Sequence, residues 1–186
     1  MLMRVCFVVV GLAVATPATA LSELEQGFAG ALHGCEEWVL NPASWAEGTA
    51  PFLSTVGLGN KMGLVETVDE AALPPRPLRV ANHYWRINST TNAGYILVVS
   101  DQLPMCHITG GGSSDLQPIV QAVLESSDFK SRWEKVNESS RQDMTTTAYR
   151  NRQDSSFSMV LSRATKSGQR LDRVQVLATA AINLDD

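Results

Sequence analysis

Residues 95–112 read YILVVSDQLPMCHITGGG, and their periodicity decides the fold. Tyr95–Val99 is apolar without alternation, which predicts a strand covered on both faces and therefore central in a sheet. Asp101–Pro104 is a polar turn, and Met105–Thr109 returns as the neighbouring strand. Gly110–Gly112 is expected to leave that strand as a loop and feed a helix.

The same period of two extends toward the N-terminus. Val80–Ile87 suits a strand, Asn88–Asn92 a hairpin turn, and Ala93–Ser100 the strand that contains the central apolar run. Before it, Ala71–Pro77 is linker-like, and Leu73-Pro74-Pro75-Arg76-Pro77 is extended because the residue preceding each proline is pushed out of the helical region. Val65–Val68 is a candidate short strand. The glycine- and proline-broken segment from Ala43 to Val65, with Trp45, Phe52, Leu53 and Val56, predicts a short helix or turn followed by a loop. Its GLGNKMG lacks the lysine-serine/threonine ending and the strand-to-helix setting of a phosphate loop.

A helix opens the folded part. Ser22 and Glu25 have the spacing of a capping box, and Leu24, Phe28, Leu32, Cys35 and Val39 recur at helical spacing up to Asn41-Pro42. A second helix is expected after the glycines, with Asp115 as N-cap, Pro118 in its first turn, and Ile119, Val120, Val123 and Leu124 on its apolar face. Ser126-Ser127-Asp128 ends or interrupts it. Phe129, Trp133 and Val136 then fit further helical turns and an incoming strand equally well. Met144–Arg150, Phe157–Arg163 and Val174–Ile182 complete a meander, with turns at Asn151–Ser155 and Lys166–Gln169. No internal repeat stands out at a fixed period. The expectation is an α+β domain: one antiparallel sheet of about five to six strands, two main helices in a single layer, and one disulfide.

Residues 1–20 of the 186 have the form of a cleaved secretory signal peptide: Arg4, the apolar Val5–Ala15, then Ala18-Thr19-Ala20. The mature single domain would run from 21 to 186, with no membrane span after cleavage, in the periplasm or secreted. Cys6 leaves with the signal, so Cys35 and Cys106 remain in a compartment that permits disulfides. A bond between them is favoured over buried free thiols or a reactive thiolate. Losing Arg4 moves the formal charge from −4 to −5. That balance argues against nucleic acid as a partner.

Chemistry has few footholds. Cys106-His107 resembles a nucleophile beside its base, but adjacent strand residues point to opposite faces. His33, His83 and His107 lack paired metal-ligand spacing, no G-x-S-x-G is present, and neither metal nor other cofactor is expected. A glycine loop at Gly110, Gly111 and Gly112 before a helix could present amides to an anion, although no basic residue lies within it. Arg163, Lys166, Arg170 and Arg173 read as a solvated basic edge that discourages strand addition. Two functions follow: a non-catalytic binding or accessory module with a protein partner in the cell envelope, or a small exported hydrolase with a cleft near His83 and His107.

Overall fold

The computed structural model describes residues 22–183, so the signal-peptide reading of residues 1–20 lies outside the described residues. The first helix, α1 (Glu23–Leu40), starts at the expected capping box: Glu25 N–H donates to Ser22 Oγ and Ser22 N–H to the Glu25 carboxylate. Its stripe of Phe28, Ala31, Leu32, Cys35 and Trp38 is buried. Two short helices follow, α2 (Ala43–Ala46) and α3 (Thr49–Val56), where a single short helix or turn was expected. Trp45 of α2 stacks on Trp38 at 4.5 Å, and Phe52 of α3 meets Trp38 edge-on at 5.0 Å. Gly57, in the left-handed region at φ 73°, ends α3.

The chain then forms β1 (Met62–Val65), β2 (Asn82–Ile87), β3 (Ala93–Ser100) and β4 (Met105–Gly112). Two further helices, α4 (Gln117–Glu125) and α5 (Ser127–Arg132), lead into β5 (Trp133–Arg141), β6 (Met144–Asn151), β7 (Phe157–Ala164) and β8 (Arg173–Ile182). All eight strands form one antiparallel sheet in the order β1-β2-β3-β4-β8-β7-β6-β5. The architecture is thus helices followed by a four-stranded meander, twice, with the halves joined at the central β4–β8 pair. Composition conceals this because the two sets of helices differ in length and packing.

The helices cover one face. Register places Trp85, Leu97, Ile108, Ala178, Leu161 and Thr147 in one inward row and Val99, Cys106, Ala180, Met159 and Tyr149 in the next. Apart from Thr147, these residues form one continuous hydrophobic cluster with Phe28, Leu32, Phe52, Val120 and Phe129 from the helices. Cys35 of α1 is bonded to Cys106 of β4, with Cα atoms 5.4 Å apart, so the disulfide fastens the first helix to the sheet centre. Among the described residues, no helix is long and apolar enough to cross a membrane.

Four expectations are corrected. The sheet has eight strands, not five to six. The two additions are its edges: β1 covers Met62–Val65, overlapping the expected Val65–Val68 only at Val65, and β5 resolves the Phe129–Val136 ambiguity. Phe129 ends up in α5 and Trp133 begins β5. Only Trp133 of β5 is buried, so an edge strand of this kind shows no alternation to read. Gly110–Gly112 are not a loop: they continue β4 and pair with both β3 and β8. Ala71–Pro77 is not a free linker, for Ala72 and Pro74 are buried and 3-10 turns form at Glu70–Ala72 and Arg76–Leu78. Finally, Leu116 occupies the N-cap position of α4. Asp115 still accepts from Gln117 N–H at 3.0 Å, and its other oxygen binds Ser167 and the Gly168 N–H across the β7–β8 turn. Burial works against that carboxylate, but the three hydrogen bonds hold it below its ordinary range.

One buried charge joins the two halves. Glu36 on α1 accepts from Trp133 Nε1 at 2.5 Å and from the Arg132 guanidinium, which also holds Asp128 at 2.7 Å. Glu36→Gln should cost about 1–2 kcal/mol, since the amide can still accept from Trp133 while the charge-assisted bond to Arg132 is weakened. Urea unfolding at pH 7 reads this. A change below a few tenths of a kcal/mol would mean that the cluster is solvated.

Candidate functional site: a groove on the outer face of the sheet

Residues at odd positions in β3 face the helices, so Ile96 and Val98 face away, and register carries this assignment across the sheet. Arg86, Ile96, Thr109 and Leu177 form one outward row, and Tyr84, Val98, His107 and Thr179 the next. Val98, Met105 and His107 are nevertheless buried on this outward side. The cover is the segment between β1 and β2, whose Ala72 and Pro74 are buried and whose Arg79 acts electrostatically on His107. Arg79 braces the segment by donating to Glu70 at 2.7 Å and to Pro74 O at 2.8 Å.

Where this cover stops, the outer face opens into a groove of about 770 Å3. Ile96, Thr109 and Val174 floor it, Asp69 and Ala72 form one wall, and the Asn88–Asn92 turn closes an end. Arg86 and Arg173 supply guanidinium groups, while Asp69 and Asp172 supply carboxylates. Arg86 and Arg173 have no ion pair among the described residues, so their donors are available to a ligand.

Gly94 and Gly110–Gly112 also line this groove, as strand rather than loop. A Cβ on Gly94 would lie 2.6 Å from Ile87 O, and one on Gly111 2.6 Å from Arg173 O, so backbone must approach backbone at both positions. The amides of this triplet belong to the sheet, so the expected loop, which could have presented them to an anion, is instead a strand. Pairing slips by one residue of β8 at Gly110/Gly111, and Gln175 there turns to bond Gly112 O, Ser114 O and Leu116 N–H.

The two candidate histidines lie on opposite faces. His107 faces outward under the covering segment, with Nδ1 2.8 Å from Thr179 Oγ1 and Nε2 unpartnered. Burial, aided by the Arg79 charge, lowers its pKa to about 4. His83 faces the helices, its ring 5.6 Å from Trp38 and its Nε2 2.7 Å from an Asp101 carboxylate oxygen. His83 and His107 therefore do not share a cleft, and neither lines the groove.

The basic edge is also divided. Arg170 binds Asp143 at 3.1 Å, Arg173 lines the outer groove, and Arg163 pairs in register with Val176 on the helix-covered face. Among the described residues, no group of three or more His, Cys, Asp or Glu side chains is placed to hold a metal ion. The convergence of Arg86, Asp69 and Asp172 on one groove was not visible in the sequence, because it depends on which strands are neighbours. The period-two position of Arg86 was the only available signal. No protein family, curated protein or solved structure matches the chain.

Proposed function

We propose that the mature chain is an exported, non-catalytic binding module that receives an extended segment of a cell-envelope protein in the outer groove. The observation that carries this reading is the groove itself. Its volume lies in the range of ligand sites, its floor is strand backbone with Ile96, Thr109 and Val174, and charges of both signs line it. An extended peptide offers the matching chemistry: alternate side chains for the floor, polar backbone for Thr90, Asn92 and Thr109, and ionic side chains for Arg86, Arg173 and the two aspartates. The buried disulfide accords with an oxidising compartment. The alternative of a hydrolase cleft shared by His83 and His107 is less well supported, because the two side chains lie on opposite faces of the sheet.

Photo-crosslinking tests the module reading. A photoreactive phenylalanine at Ile96, in the groove floor, should give one discrete adduct in the native envelope. The same group at Val160, exposed on the outward side of β7, should give none. No adduct from position 96, together with a hydrolytic activity of the purified protein abolished by His83→Gln, would overturn the proposal.

A further inference from the structure

The second half of the molecule contains a groove that the first half fills. In the first half, α3 extends the helical layer and Phe52 packs on Trp85 of β2 at 5.5 Å. In the second, α5 has only six residues, and Phe129 reaches Tyr149 of β6 at 5.1 Å. Beyond it, a groove of about 390 Å3 remains between α4–α5 and the inward face of β5–β7. This groove is on the opposite face from the one proposed to bind an envelope protein.

Its charge runs against that of the chain. Lys130, Lys135, Arg152 and Arg163 line it with Glu125 and Glu138, leaving two net positive charges in a protein of formal charge −4. Both carboxylates are engaged. Gln121 donates to Glu125, while Glu138 receives Lys135 at 2.9 Å and Thr147 Oγ1 at 3.0 Å. Arg152 is anchored by its Nε to Lys130 O at 3.1 Å. Arg163 differs: its side chain makes no ion pair or hydrogen bond among the described residues, although its charge acts on Glu138 across the groove, and its Nε is both unpartnered and closed to solvent. A half-buried guanidinium without an acceptor has lost hydration without replacing it, and its planar fork suits an oxyanion.

We infer that this groove binds a small dianion through Arg163. Two net positive charges match two negative ones, the Arg163 guanidinium receives one oxyanion end, and the exposed Lys130 and Arg152 take the other charge. Leu124 and Tyr149 give the groove an apolar wall for the body of the ligand. Dicarboxylates and phosphomonoesters share this chemistry.

Titration calorimetry of the mature, oxidised protein with succinate and, separately, phenyl phosphate tests the inference and identifies which source fits. At least one should bind one-to-one, with affinity falling as sodium chloride rises from 20 to 200 mM. Arg163→Met should weaken that binding at least tenfold, whereas Lys166→Gln on the neighbouring turn should leave it within twofold. Arg152→Gln provides a second reading should Arg163→Met fail to fold, with an expected loss of threefold or more. No binding of either probe, or binding unchanged in the folded Arg163 and Arg152 variants, would overturn the inference. Neither result affects crosslinking from Ile96.

Discussion

Replacing Cys35 and Cys106 together by alanine is expected to lower the unfolding free energy by about 4 kcal/mol. The bond closes a loop with a sequence separation of 71, which contains α2, α3 and β1–β3. Without it, the denatured chain regains the freedom of that whole segment, and α1 loses its covalent attachment to the sheet. For a protein of this size the thermal midpoint should fall by roughly 10 °C. Because Cys35 and Cys106 are bonded to each other, the protein unfolded in urea without reductant should take up no alkylating label. Two labels on the exported protein would show free thiols. The same intact-mass measurement checks for a mature N-terminus at Leu21. A double variant as stable as the parent would mean that packing of α1 on β3 and β4 already supplies the constraint.

Acid should destabilise the protein through His107. Its folded-state pKa is about 4, against an ordinary value of 6.5, because burial and Arg79 disfavour the imidazolium. The unfolded chain therefore takes up the proton first. This stability is fully present above about pH 6.5, falls as pH drops toward 4, and levels off below that. At ~1.4 kcal/mol per pH unit of difference, the loss approaches about 3 kcal/mol. His107→Asn keeps a polar side chain that does not titrate. Between pH 7 and pH 4 the parent should lose about 3 kcal/mol more than this variant, as measured by urea unfolding at several pH values. Parallel profiles would show that His107 is hydrated or already paired with an acid. Carboxylates titrate in the same window in both proteins, so only the difference between profiles isolates the histidine.

Both expectations depend on the same strand. Cys106 and His107 are adjacent in β4 and point to opposite sides: one is bonded to the helical layer and the other lies under the segment between β1 and β2. Alternation along a strand makes the first an inward anchor and the second an outward buried base, and it prevents them from acting as a thiol–imidazole pair.

Much of the molecule was determined locally. The capping box of Ser22 and Glu25, the stripe Phe28–Leu32–Cys35, the unbroken Tyr95–Val99 and the alternating Phe157–Arg163 each reflect a repeat of 3.6 or 2 residues, and each element formed as its period demanded. The Cys35–Cys106 pairing was legible because only two cysteines remain beyond the signal-like segment. Tertiary structure alone decided the rest. Edge strands β1 and β5 take their conformation from a neighbour, so Leu64 and Val136 remain exposed and no periodic burial marks them. Gly110–Gly112 read as a loop because glycine permits one, yet β3 and β8 approach from both sides and extend the strand through them. Both grooves are products of register and helix length: strand order brings Arg86 and Arg173 to one groove, and the other, lined by Arg163, lies beside an α5 of only six residues. Periodicity is a property of neighbours in sequence, whereas a binding surface is made by neighbours in space.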